Sequence, residues 1–124
     1  MKLAIIGSRK FNDYDRLCRV MDSHYGLYDG HRNLWEYQVT EVVSGAAKGA
    51  DSLAKRWAYD RGAKLTEYIP DWDRLGKGAG FVRNQKIIDD CDEVLAFWDG
   101  TSRGTRDSIK KAHAARKTTL IVYV

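Results

Sequence analysis

Three short stretches of this chain combine glycine with hydroxyl-bearing or cationic residues: Gly7-Ser8-Arg9, Ser44-Gly45-Ala46-Ala47-Lys48-Gly49-Ala50-Asp51, and Asp99-Gly100-Thr101-Ser102-Arg103-Gly104-Thr105. Glycine lets the main chain approach an anion closely and adopt positive φ. A turn that opens a helix also presents unpaired N–H groups and the positive end of the helix dipole. The hydroxyls of Ser8, Ser44, Thr101, Ser102 and Thr105 add donors, and Arg9, Arg83, Arg103 and Arg106 add charge. The chemistry these types point to is phosphate binding. None of the three is a standard phosphate motif. Ala47 stands where GxGxxG needs its second glycine, and no Gly-Lys-Ser/Thr follows, since Lys48-Gly49 runs in the wrong order.

Other residues extend the candidate site. Arg83-Asn84 lies near the start of a predicted helix, preceded by Lys77-Gly78-Ala79-Gly80, from where Arg83 would reach a phosphate or ribose. The carboxylates Asp51, Asp71, Asp73 and Asp99 could orient ribose hydroxyls or activate water. Asp51 falls in a first helical turn, where an acid already helps the helix. Asp99 directly follows a strand and is the better ligand-facing acid. Trp72 could stack on a base, while Trp35, Tyr37 and Trp57 are expected in packing or an interface. His24, His31 and His113 have no metal-ligand spacing and read as surface residues, so no metal and no cofactor is expected. Cys18 and Cys91 are far apart in the sequence and read as reduced thiols.

The elements that must position these turns alternate along the chain. Leu3-Ala4-Ile5-Ile6 is a short continuous apolar run, as expected of a strand covered on both faces. Asn12 or Asp13 can cap a helix in which Tyr14, Leu17, Met21 and Tyr25 recur at helical spacing. Residues 26–38 read as a connecting loop. Strands are predicted at Val39–Val43, Lys64–Ile69, Glu93–Trp98 and Thr118–Val124. Helices are predicted from Asp51 toward Gly62, from Phe81 to about Asp89, and after the Asp99–Thr105 turn to about Ala115. This order implies a single α/β domain over 1–124, Rossmann-like, with a five-stranded mostly parallel sheet and helices on both faces. Its expected strand order is 3-2-1-4-5, with ligands outside the carboxyl ends of the strands flanking the reversal.

Composition fits that reading. The 124 residues are 44% hydrophobic and 31% charged, enough for a core in one domain. No apolar run approaches the roughly 20 residues that span a bilayer. The short apolar run after Met1-Lys2 reads as a strand and not as a signal peptide, so no membrane and a cytoplasmic location are expected. The net charge of +4 is mildly basic. From Thr101 onward six Lys/Arg face one acid, Asp107. This bias suits an anionic partner, either nucleic acid or a phosphorylated small molecule.

These turns, taken with Phe11 and Asp13, Leu53-Ala54, Asp71-Trp72, Gly76-Lys77, Ala79-Gly80, Asp92, Val94 and Phe97-Trp98, resemble the YspA/YpsA-related branch of the SLOG superfamily. That superfamily unites the DNA-processing A protein with the LOG phosphoribohydrolases. The resemblance covers nearly the whole chain. It implies a Rossmann-like fold, a nucleotide-type ligand at the glycine-rich turns, and self-association. LOG enzymes cleave the N-glycosidic bond of nucleoside monophosphates. They use an arginine on the third helix and a glutamate three residues after the threonine of a Gly-Thr turn. Arg83 matches the arginine, but the glutamate position counted from Thr105 is Ser108. Asp107 is one residue away, about 100° around a helix.

The expected function is therefore binding of a nucleotide or nucleotide-derived ligand, NAD/ADP-ribose-like or a nucleoside phosphate, by a non-catalytic sensor or sequestering protein. The expected contacts are Gly7, Ser8, Arg9, Ser44, Gly45, Ala46, Gly49, Asp51, Trp72, Arg83, Asn84, Asp99, Gly100, Ser102, Arg103, Gly104 and Thr105. The alternatives are a nucleotide N-glycosidic hydrolase, with Arg83, Asp99 or Asp107 as candidate catalytic residues, and a single-stranded nucleic-acid binder.

Overall fold

The computed structural model describes all of residues 1–124. Strand β1 (Lys2–Gly7) leads to helix α1 (Tyr14–Tyr25), and β2 (Gly26–Asp29) and β3 (Leu34–Tyr37) follow. Then come β4 (Glu41–Ser44), α2 (Ala50–Arg61) and β5 (Lys64–Glu67). A one-turn helix α3 (Trp72–Leu75) and a 3₁₀ turn (Gly76–Gly78) precede α4 (Ala79–Asp89), β6 (Glu93–Trp98), α5 (Arg103–Ala114) and β7 (Thr118–Tyr123).

Five strands form one sheet in the order β5-β4-β1-β6-β7, and every pairing is parallel. This is the expected order, with β1 and β6 flanking the reversal of winding. The apolar run of β1 serves both layers because successive side chains point to opposite faces. Leu3 and Ile5 join Leu17, Met21 and Trp57 beneath α1 and α2. Ala4 and Ile6 join Ile87, Ile88 and Ile109 beneath α4 and α5. Each fully buried Leu or Ile side chain contributes about 1.5–3 kcal/mol relative to exposure.

The helix boundaries have local causes. Asp13 accepts a hydrogen bond from the Arg16 amide at 3.0 Å and caps α1. Gly62 ends α2 in the left-handed conformation, its amide returning to Tyr59 O.

Three expectations need correction, and one alternative is decided. Residues 26–38 are not a plain loop: β2 and β3 pair as a separate antiparallel hairpin. The second strand of the main sheet starts at Glu41, two residues later than expected, and includes Ser44. The stretch before Phe81 is partly helical, with Asp71 capping α3 through the Arg74 amide. Of packing and an interface, the two places expected for Trp57, the structure gives packing: it is fully buried in a T-shaped contact with the Tyr37 ring. His24, His31 and His113 are exposed, as expected, and both cysteines are free. No helix is long and apolar enough to cross a membrane.

Candidate functional site

The three glycine-bearing turns meet at Ser8. Its amide donates to Phe97 O at 2.8 Å, tying the end of β1 to β6. Its carbonyl accepts from the Ala50 amide at 3.1 Å, tying the first turn to the start of α2. Its hydroxyl accepts from the Lys10 amide at 3.2 Å and donates to Asp99 Oδ2 at 3.4 Å, reaching the third turn. This closeness explains two glycines. A Cβ on Gly7 would strike the Phe97 carbonyl, and one on Gly49 would strike the Ser8 and Arg9 main chain. Gly49 also has φ +75°, a conformation L side chains rarely adopt.

An open cavity of about 320 Å³ lies among these turns. Of the expected contacts, Gly7, Ser8, Arg9, Asp51, Arg83, Asn84, Asp99, Ser102, Arg103, Gly104 and Thr105 line it. Ser44, Gly45, Ala46, Gly49, Gly100 and Trp72 do not. Gly45 and Gly49 act one step back, by leaving room. Ala46 sits at φ 59° on the exposed crest of the second turn. Trp72 is half exposed on α3, with its ring over Gly80. Sequence reasoning missed Ile6, Lys10, Ala47, Ile87 and Ser108 in the lining. Ser108 was visible as the residue one helical turn after Gly104-Thr105, on the same face of α5.

The cavity brings together helix starts and cationic side chains. Neither α2 nor α5 has a side-chain cap, so the first-turn amides beyond Ala50, which donates to Ser8 O, lack a side-chain partner. Arg9 and Arg103 are exposed at the rim. Arg83 is half-buried: its Nη1 donates to Gly45 O and Tyr68 O, and its Nε donates to Asn84 Oδ1 at 3.0 Å. Burial lowers the Arg83 guanidinium pKa, the Asp51 charge raises it, and Arg9 lowers it. A methyl on Gly45 would land on the Arg83 guanidinium and the Asp51 carboxylate, so glycine here makes room for both.

The acids differ sharply. Asp99 accepts the amides of Ser102 at 2.7 Å and Thr101 at 2.9 Å, and these bonds hold its carboxyl at about 2. It is a fixed carboxylate that organises the third turn. Asp107 accepts from Asn84 Nδ2 at 3.1 Å and pairs with Lys111 at 2.5 Å, so it bridges α4 to α5 and does not line the cavity. Asn84 also donates to Gly104 O at 3.2 Å, a positioning bond for the third turn. Asp51 is buried, and burial pushes its carboxyl up against the opposing pull of the Ala47 amide and Arg83. The fully buried Ser44 hydroxyl is near enough to help hold Asp51 charged, but no hydrogen bond of ordinary geometry forms.

The doubly wound sheet and its gathered turns define a Rossmann-like α/β domain. The chain belongs to the YspA, cpYpsA-related SLOG family, whose model matches residues 1–75 and so includes the first two of the three turns. It is similar to the Gene 61 protein of Mycobacterium phage D29, 40% identical over 125 residues, covering 92% of this chain and 90% of that protein. No solved structure matches it.

Proposed function

We propose that the protein binds a nucleotide-derived anion, NAD/ADP-ribose-like or a nucleoside phosphate, in the cavity at the strand ends and holds it without turnover. The observation that carries this reading is one cavity that collects two uncapped helix starts, Arg9, Arg83 and Arg103. Two helix starts facing one cavity suit the charge of a diphosphate, and Asp99, an acceptor lining the same cavity, suits ribose hydroxyls. Two of the candidate catalytic acids fit the chemistry poorly. Asp99 is held too acidic to donate a proton, and Asp107 is committed to Asn84 and Lys111. Ser108 occupies the place of the related enzymes' glutamate and cannot stabilise oxocarbenium-like charge.

A second reading, hydrolysis of an N-glycosidic bond, is favoured by one observation. Asp51 is a buried carboxyl with a raised pKa beside Arg83, the environment of a general acid. One experiment separates the two. The protein is incubated with NAD, ADP-ribose, AMP and a single-stranded oligonucleotide, with thermal shift and mass spectrometry as readouts. Stabilisation by intact ADP-ribose or AMP supports the binder, and release of a free base supports the hydrolase through Asp51. A shift by the oligonucleotide alone, collapsing with salt, would overturn both.

A further inference from the structure

Arg83 has little freedom inside the cavity. Its Nε donates to Asn84 Oδ1 at 3.0 Å, and its Nη1 donates to Gly45 O and Tyr68 O. A guanidinium carries five N–H donors in a fixed fork, and three of the five are spent here on the protein. Nη2 has no partner in the chain and is the edge left for a ligand.

Asn84 is the next residue of α4, 6% exposed, and lines the same cavity. It faces one donor and two acceptors. Arg83 Nε can only donate, so the Asn84 oxygen must face it. Gly104 O at 3.2 Å and the Asp107 carboxylate at 3.1 Å can only accept, so both hydrogens of Nδ2 are taken. Asparagine supplies both kinds of atom at this reach. A carboxylate in its place would set oxygen against oxygen at Gly104 and at Asp107. Asp107 lies outside the cavity and is paired with Lys111, so the amide is oriented from behind.

These bonds cross the site. Through Gly45, Arg83 belongs to the second glycine-bearing turn, whereas Gly104 belongs to the third and to the first turn of α5. We infer that Asn84 is a positioning residue and not a ligand contact: it joins the Arg83 guanidinium to the first turn of α5, so that these two walls of the cavity move as one unit. The importance of that coupling for binding rests on the reading of this cavity as an anion site. A ligand that draws Nη2 inward pulls on Asn84 and, through it, on the Gly104 carbonyl. Members of such a buried network reinforce one another, so their contributions do not add.

Amide NMR spectra of the ligand-free chain test the coupling itself. Arg83→Lys keeps the positive charge but places no N–H where Nε stood. In the wild-type background it is expected to shift the Gly104 and Thr105 amide resonances. In the Asn84→Ala background the same substitution leaves them in place, and the cycle isolates the transmitted effect. Asn84→Asp keeps the acceptor for Arg83 but loses both donors, and serves as a second background with the same expected outcome. Circular dichroism checks the fold of each variant. ADP-ribose titrations run alongside: Arg83→Lys and Asn84→Ala each weaken binding at least about tenfold, and the double variant is no weaker than the worse single one. Unmoved Gly104 and Thr105 resonances on Arg83→Lys, equal shifts in all backgrounds, or additive losses of affinity overturn the inference. Transmitted shifts in a wild-type chain that ignores ADP-ribose support the coupling and count against the ligand reading alone.

Discussion

Gly45 and Gly7 both stand where a methyl group would collide, but the collisions differ in kind. At Gly45 the obstacle is the far end of Arg83, together with a carboxylate oxygen of Asp51 at 3.0 Å. A side chain of that length can swing away. At Gly7 the obstacle is the Phe97 carbonyl, part of the β1/β6 ladder. Gly45→Ala is therefore expected to cost less than about 1 kcal/mol of stability, while displacing Arg83 and weakening ADP-ribose binding at least about tenfold. Gly7→Ala is expected to cost about 1–3 kcal/mol or more by forcing the main chain apart. Denaturant midpoints and thermal-shift titrations of both variants check this, and unaltered binding by Gly45→Ala would remove Arg83 from the proposed anion site. Gly7, Gly104, Arg83 and the hydroxyls of Ser8, Ser102 and Thr105, which line the cavity, could be read from type and spacing alone. The orientation of Asp107 could not. Asp99 is claimed by two amides of its own turn, and Asp107 by a residue on another helix, Asn84. The Asn84 partner of Asp107 leaves no local pattern, whereas the amides that Asp99 accepts are two and three residues on, a short-range turn pattern that the reading of Asp99 as a ligand-facing acid passed over.

At the scale of elements, helical periodicity and apolar runs revealed the five sheet strands and the four longer helices, because each buries a stripe or face against the same core. The β2–β3 hairpin escaped because its residues bury little: Leu27, Tyr28, Leu34 and Trp35 are all exposed. Two signals were present, a pair of aromatic-bearing runs and, between them, Gly30 with Asn33 at φ 53°. A two-stranded ribbon without a covering layer is marginal on its own. Its amides are accordingly expected to exchange with deuterium much faster than those of β1 and β6, with hydrogen exchange followed by NMR as the measurement. Equal protection would mean that something covers the hairpin. The cap of α1 gives a second check. Asp13→Ala removes the bond to the Arg16 amide and is expected to cost about 1 kcal/mol, read from the denaturant midpoint.

At the scale of the whole molecule, the acids pull stability in opposite directions with pH. Asp99 is held at about 2, below its unfolded value, so its contribution is present above the ordinary carboxyl range and is lost as pH falls toward about 2. Asp51 runs the other way. Its folded pKa lies above the unfolded value, so the native state holds that proton more tightly, and stability declines as pH rises through the gap. This becomes a statement about binding because Asp51 lines the cavity. A bound anion adds negative charge beside Asp51 and raises its carboxyl further, so binding takes up a proton and affinity falls as pH rises. ADP-ribose is the appropriate probe, since its diphosphate charge is constant between about pH 5 and 8. Calorimetry in buffers of different ionisation enthalpy should register proton uptake by the wild-type protein and none by Asp51→Asn. That variant should also bind more tightly at neutral pH, because a repelling carboxylate is gone. Weaker binding by Asp51→Asn with no change in proton uptake would mean that the anion lies away from Asp51, toward Arg103 and the start of α5.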